Sequence, residues 1–235
     1  MSQLTFEEIK AQIEEWIRLD YIYPEDIPSI ELYMDQVTTF MEEHLRGNKR
    51  REDDKILTKT MINNYSKNNL LPPSDKKKYS KDHMILLIYI YYLKNFLSIN
   101  DIQNLLNPMT NTFFHKDSGI TMSDIYSDLF ELEKQYGIKV RQSIQDVYDI
   151  TDKQFDTKDD YLKTYAMITM LSYDIYAKKQ LVEKLIDSLA DKSETKEEQK
   201  ERKEAARQQE KAEKEQAKKQ DKRTKKDSTS KAGNP

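Results

Sequence analysis

Glycine is the residue this chain nearly does without. Only four of its 235 residues are glycine, at positions 47, 119, 137 and 233, and no two lie within ten residues of each other. Loops that cradle a dinucleotide or a nucleoside triphosphate need clustered glycines, because the backbone itself must approach the phosphates. Glycine-rich barrels and propellers need many tight turns. Both classes are excluded. The chain also lacks cysteine, which removes disulfides, thiolate nucleophiles and thiolate-ligated metals. Its three histidines, His44, His83 and His115, are far apart and show no metal-ligand spacing. No nucleophile–base pair or paired catalytic carboxylates stand out. The chain is therefore expected not to be an enzyme and to need no metal or other cofactor.

Helical punctuation takes the place of turns, and strand signals are nearly absent outside a short ribbon near 74–80. Thr5-x-x-Glu8 is a capping box that predicts a first helix over 5–19. Ser29 is a candidate N-cap for a second over 30–46, with Gly47 at the C′ position. A third spans Thr58 to Asn68 and stops at Leu70-Leu71-Pro72-Pro73, since a proline disfavours helix in the residue before it. A fourth runs from Ser80 or Lys81 to about Leu97, and its Met84–Leu93 stretch is the longest apolar run. At ten residues that run is half of the ~20 a bilayer requires, so it reads as a buried helix. Its Tyr89, Tyr91, Tyr92 and Phe96 are expected in the core. Ser98-x-x-Asp101 opens a fifth helix ending before Pro108, followed by an irregular loop over 107–119. A sixth covers 122–136 and is closed by Gly137, a seventh covers 139–150, and Thr157-x-x-Asp160 opens an eighth over 158–190.

In that last helix Ile168, Leu171, Ile175, Lys178, Val182, Leu185 and Leu189 alternate three- and four-residue spacing. This is either an amphipathic face packed on its own domain or a coiled-coil seam between two copies. Beyond Ala190 there is no Ile, Leu, Val, Met or aromatic residue. Such a segment cannot bury enough apolar area to offset its ordering entropy, and it is expected to be a solvated helix or disordered.

Charge is unevenly spread. The formal net charge is −3, yet residues 47–82 carry 10 basic against 5 acidic side chains between acidic flanks. Local sign decides whether a surface attracts phosphate. Within this band the third helix offers Lys59, Thr60, Asn63, Asn64 and Lys67 opposite an apolar face of Met61, Ile62 and Tyr65. Asparagine can pair bidentately with an adenine edge in the major groove. Lysine and tyrosine hydroxyls suit phosphate oxygens, and Thr60 with the free amides near it could hold another. Lys76, Lys77 and Lys78, on a short loop ending at Tyr79, could straddle the neighbouring backbone. The candidate DNA-binding residues are thus Lys59, Thr60, Asn63, Asn64, Tyr65, Lys67, Lys76, Lys77, Lys78 and Tyr79.

Taken in order, these segments resemble the winged helix-turn-helix of the MerR-type transcription regulators. In that family a recognition helix ends in an arginine–tyrosine pair and a leucine–proline turn, followed by a basic wing, an aromatic–serine step and the next helix. Here Asn63-Asn64-Tyr65 stands where the family has arginine–tyrosine–tyrosine, and Asn69-Leu70-Leu71-Pro72-Pro73 matches glycine-leucine-leucine-proline-proline. Lys78-Tyr79-Ser80 matches the end of the wing, and Ser98-Ile99-Asn100-Asp101-Ile102 looks like the start of the last helix. Asn69 substitutes for glycine without difficulty because asparagine tolerates the left-handed conformation. More closely, Ile30 to Leu106 is similar to a bacterial family of unknown function, the domain-of-unknown-function family 1836. Its LYMDQV, LTKTMINNY and LLPP…KKYS-like segments stand here at Leu32–Val37, Leu57–Tyr65 and Leu70–Ser80.

The resemblance implies a MerR-like DNA-binding module of a transcription regulator. The expected architecture is all-α: a winged helix-turn-helix domain with a minimal β wing over 1–108, a helical dimerisation or regulatory module over 109–190, and a charged tail over 191–235. The expected partners are double-stranded DNA and a second copy, with no membrane. The first ten residues, MSQLTFEEIK, lack the apolar core of a secretory signal, and the protein is expected in the cytoplasm. The alternative is a helical protein-interaction adaptor whose basic band is only surface.

Overall fold

The computed structural model describes residues 4–16, 22–117, 119–156 and 158–190. Seven α-helices follow one another among these residues: α1 (Phe6–Trp16), α2 (Met34–Leu45), α3 (Lys59–Lys67), α4 (Lys81–Leu93), α5 (Ile99–Phe113), α6 (Met122–Gln154) and α7 (Asp160–Ala190). Two short strands, β1 (Leu32–Tyr33) and β2 (Lys78–Tyr79), precede α2 and α4 and pair antiparallel, Leu32 against Tyr79 and Tyr33 against Lys78. Met1–Asp187 forms one compact unit and Ser188–Pro235 another, of which only the last residues of α7 are described. The expected boundary at 108–109 falls inside α5. The expected solvated or disordered tail over 191–235, the end of the first helix beyond Trp16 and the Thr157 cap lie outside the described residues.

Helix starts follow local chemistry closely. Thr5 N–H donates to Glu8 Oε2 at 2.7 Å, and Glu8 N–H donates back to Thr5 Oγ1 at 3.2 Å. Ser98 and Asp101 exchange the same pair of bonds at the head of α5. The second helix departs from expectation. Residues 32–33 are extended because they pair with β2, so Ser29 caps nothing and α2 opens at Met34, with Tyr33 N–H donating to Gln36 Oε1 at 2.9 Å. Gly47 sits in a 3₁₀ turn over Arg46–Asn48 rather than in a left-handed cap.

Two helices run through residues expected to stop them. α5 passes Pro108 and reaches Phe113, replacing much of the expected loop. The proline costs the bond to the Asn104 carbonyl, but Asn104 is exposed and water can serve it. The apolar stripe Ile102, Leu105, Leu106, Met109, Phe113 continues in phase across the proline and packs on the core. α6 likewise runs on through Gly137, fusing the sixth and seventh expected helices. Gly137 is itself buried, in line with Tyr126, Phe130, Ile144 and Tyr148 at four- and seven-residue steps. A glycine there costs the helix roughly 1 kcal/mol relative to alanine, and α6 continues through it anchored on both sides, at Tyr126 and Phe130 before it and at Tyr148 after it.

The core has two parts. The larger surrounds α4, whose Met84 to Ile88 and Ile90 are essentially inaccessible, and collects side chains from α2, α3, α5, the first turns of α6 and Ile186 of α7. Of the aromatic run, Tyr91 is buried and Tyr89 and Tyr92 pack against this core. Phe96 is exposed, because α4 ends at Leu93 and the next turn carries it outward. The smaller core joins Phe6 and Ile13 of α1 to Tyr148 of α6 and Met167 of α7. Phe6 stacks on Tyr148 with ring centroids 4.4 Å apart. The long connector between α2 and α3 is held down by Ile56 and Leu57, both buried, and by Lys94 Nζ donating to the Ile56 carbonyl at 2.7 Å.

Candidate nucleic-acid interface

α3 is short and polar, and its ends are closed by its own residues. Thr58 Oγ1 accepts from Met61 N–H at 3.2 Å. At the far end Asn69 is left-handed (φ 53°), as expected of an asparagine in a glycine position. Leu70 N–H donates to the Tyr65 carbonyl at 2.9 Å and Asn69 N–H to the Ser66 carbonyl at 3.2 Å. These two bonds are a Schellman closure. They turn the chain sharply, so that Leu70 and Leu71 dive into the core directly after α3.

The inner face of α3 is Ile62 and Tyr65, with Met61 partly covered; Lys59, Thr60, Asn63, Asn64 and Lys67 are exposed. Two of the ten candidate residues therefore do not reach the surface as expected. Tyr65 is only 8% exposed and Tyr79 only 5%, and both belong to the main core. Burial raises the Tyr65 phenol above its ordinary pKa, so it stays protonated. Each sits where the pattern requires an apolar residue, Tyr65 three positions after Ile62 on the helix and Tyr79 opposite the buried Leu32.

The segment before β2 is a tight hairpin. Lys78 N–H donates to the Asp75 carbonyl at 2.7 Å, and both intervening residues are left-handed, Lys76 at φ 46° and Lys77 at φ 65°. This is the geometry of a type I′ turn, which ordinarily takes Asn-Gly. Two lysines held there cost roughly 1–2 kcal/mol each. Their exposed side chains stand at the tip of the turn. Replacing them by the residues the turn prefers, Lys76→Asn with Lys77→Gly, should raise unfolding stability by about 1–2 kcal/mol. Urea titration followed by far-UV circular dichroism measures it; unchanged or lower stability would show that the turn holds no strain.

Residues 31–35, just ahead of and within the first turn of α2, connect the two basic elements. Asp35 is ion-paired with Lys59 at the start of α3. Two residues back, Tyr33 pairs with Lys78 in the ladder, and Lys78 Nζ lies 5.8 Å from the Tyr33 ring centroid and 3.6 Å from Glu31 Oε2. The start of α3, the start of α2 and the base of the lysine turn thus form one connected edge. Sequence reasoning assigned Lys59 and Lys78 to this edge but missed Glu31, Tyr33 and Asp35, which partner them. The signal present was Gln36, three residues after Tyr33, which marks the helix start and frees the preceding residues to be extended. Among the described residues Lys67, Lys76 and Lys77 have no ion-pair partner.

Behind the turn, His83 closes the head of α4. It is 1% exposed, its Nδ1 accepts from Ser80 N–H at 3.1 Å, and Ser80 Oγ lies 2.9 Å from the same atom. Ser80 Oγ is also 3.1 Å from His115 Nε2, and His115 N–H donates to Asp82 Oδ2 at 2.7 Å. The His83 ring meets Tyr79 and Phe114 edge-on. Burial holds the His83 imidazole below its ordinary pKa, with nearby His115 acting in the same direction and the Pro73 carbonyl and Asp82 opposing. The unfolded chain therefore binds a proton here at a higher pH than the folded one. This contribution to stability is full above about pH 6.5 and is lost as the pH falls below it. His83→Gln keeps an acceptor for the cap and cannot protonate. Its stability should change less between pH 7 and pH 5 than the native chain's, in parallel denaturant titrations. Equal pH slopes would mean that His83 is not the group responsible.

No group of three or more histidine or acidic side chains suited to a metal occurs among the described residues. Nor is any described helix long and apolar enough to cross a membrane. Residues 22–129 match a family model, Domain of unknown function (DUF1836). The matched segment runs from Ile22, through α2, α3, the lysine turn, α4 and α5, into the first two turns of α6. It includes the whole connected edge and excludes most of the α6–α7 pair. No curated protein and no solved structure is detectably similar to the chain.

Proposed function

We propose that this chain is a sequence-specific, DNA-binding transcription regulator that works in the cytoplasm through a MerR-like winged helix. The supporting observation is the connected edge: the α3 start, the α2 start and a strained lysine turn linked through Asp35–Lys59 and Tyr33–Lys78. In this reading α3 lies in the major groove with Asn63 and Asn64 toward base edges. Lys67, Lys76 and Lys77 meet phosphates as the cations of this edge without an ion-pair partner among the described residues, and the Lys59 and Thr60 amides supply donors at the head of α3. Glu31 and Asp35 neutralise Lys78 and Lys59 in the free protein; on a duplex those lysines exchange a carboxylate for a phosphate.

A helical adaptor is the competing function. It is favoured by the same two ion pairs, which lower the edge's charge, and by the apolar exposure of α6 and α7. Selection of genomic DNA fragments by the purified chain, followed by gel retardation at moderate salt, separates the two. Enriched half-sites centred about 10 bp apart, or a multiple of that, are expected for a two-fold regulator. No enrichment and no retardation would favour the adaptor.

A further inference from the structure

A capping box needs a side chain at the third helical position that accepts the N–H of the cap residue. Among the described residues that acceptor is Glu8 for α1, Gln36 for α2, Asp101 for α5 and Asp124 for α6, a carboxylate or an amide in every case. At α4 it is His83. Carboxylates and amides remain acceptors from about pH 5 to pH 8; an imidazole does not. Because Nδ1 of His83 accepts from Ser80 N–H at 3.1 Å, the neutral ring carries its proton on the buried Nε2. An added proton has only Nδ1 to go to. It turns that atom from acceptor into donor, takes the ring away from Ser80 N–H, and charges a side chain that is 1% exposed. The titratable groups that face His83 are Tyr79 of β2, Asp82 of its own helix and His115 beyond α5. Asp82 favours the charged ring, while burial and His115 oppose it.

We propose that this capping box is a proton-operated latch: it holds the lysine turn and the end of α5 on the head of α4 while His83 is neutral, and releases both when His83 takes up a proton. Two segments meet at the box. On one side, β2 is two residues long and runs straight into Ser80. Its Tyr79 ring lies edge-on to His83 with centroids 5.5 Å apart, and its Lys78 closes the turn of Lys76 and Lys77. On the other side, the chain leaving α5 is pinned by His115, whose Nε2 lies 3.1 Å from Ser80 Oγ and whose N–H donates to Asp82. Phe114 meets the His83 ring edge-on at 4.8 Å. His115 is left-handed (φ 55°), an unfavourable conformation for a residue with a Cβ, so the pinned arrangement holds strain that release removes. Ser80 joins the two sides, and His83 is the side chain that binds both its N–H and its Oγ. The consequence for duplex binding rests on the function proposed above: acid slackens the turn that presents Lys76 and Lys77, although added protons by charge alone would favour a polyanion.

Amide hydrogen exchange of the full chain, followed residue by residue by NMR without nucleic acid, tests the latch. After correction for intrinsic exchange, Ser80, His115 and Lys78 N–H should be less protected than Leu87 N–H in the buried middle of α4. Their protection should fall by about tenfold between pH 7.5 and pH 5.5, the limit for one imidazole that regains its ordinary pKa of 6.5 only in the open state. In His83→Gln it should not change with pH. Three results each overturn the proposal: pH-independent protection in the native chain, a fall that persists in His83→Gln, and latch amides that open only together with Leu87. A fall confined to Ser80 and His115 also overturns it, because the turn would then be uncoupled. If His83→Gln fails to fold, His83→Asp replaces it with the same expectation, aspartate being the residue at this position in the boxes of α5 and α6. Duplex affinity is the second readout, and over the same range it should fall in the native chain relative to the variant. Duplex binding with one pH profile in both overturns control of the edge by the latch. No duplex binding at any pH refutes the function proposed above, and the exchange measurement then decides the latch by itself.

Discussion

Replacing Lys67, Lys76 and Lys77 together by alanine should weaken binding to every duplex by about a hundredfold near physiological salt and leave the fold intact. Each phosphate contact contributes about 0.9 to the slope of log affinity against log salt, so losing three should flatten that slope by about 2.7. These are the three cations of the edge with no protein partner among the described residues, so their full charge is free for phosphate. All three are exposed, and alanine at 76 and 77 still has to adopt the left-handed conformation, so stability should barely move. Fluorescence anisotropy across a salt series measures the slope. Asn63→Ala is the contrast: it should cost roughly 1–3 kcal/mol on the selected site only and leave the slope unchanged. A triple variant with the native slope would remove the lysine turn and the end of α3 from the interface. Equal losses on selected and random DNA for Asn63→Ala would remove that side chain from base reading.

The second large effect is expected in the core. Leu71→Ala should destabilise the chain by about 2–5 kcal/mol, the range for deleting a fully buried leucine side chain and leaving a cavity. Leu71 is 1% exposed, beside Leu70, immediately after the Schellman closure of α3. It anchors the stretch joining α3 to the lysine turn, so its loss acts on both elements of the candidate edge. Against a typical total of about 5–15 kcal/mol, such a loss is large. Urea unfolding should show a lower midpoint with an unchanged m-value. Duplex affinity of the folded fraction should fall as well, because α3 and the turn would no longer be held in one arrangement. A loss under about 1 kcal/mol would show that neighbouring side chains fill the space.

Much of this architecture is legible locally. The capping boxes at Thr5 and Ser98, the N-cap at Thr58 and the left-handed Asn69 all rest on interactions within a few residues, so each is encoded where it occurs. The buried nature of α4 follows from its composition alone. What local signals misplace are the breaks. Pro108 and Gly137 are punctuation in isolation, yet both helices continue because apolar stripes on either side stay in phase; those of α5 pack on the main core, and those of α6 anchor it in the main core at Tyr126 and in the smaller one at Tyr148. The start of α2 is shifted for the opposite reason: its first expected residues are taken by pairing with a strand 46 positions further along the chain, an interaction no local window contains.

The candidate edge divides the same way. By residue type and helical spacing, the sequence by itself determined that α3 has a polar lysine–asparagine face and that a basic segment follows it. Only the tertiary structure decided which of those side chains are available. Tyr65 and Tyr79 have the same hydroxyl as exposed tyrosines, but the core needs their rings. Lys59 and Lys78 carry the same charge as Lys76 and Lys77, but Asp35 and Glu31 reach them through space. The physical reason is that burial and ion pairing depend on distance between side chains, and for residues far apart in sequence that distance is set by the packed core.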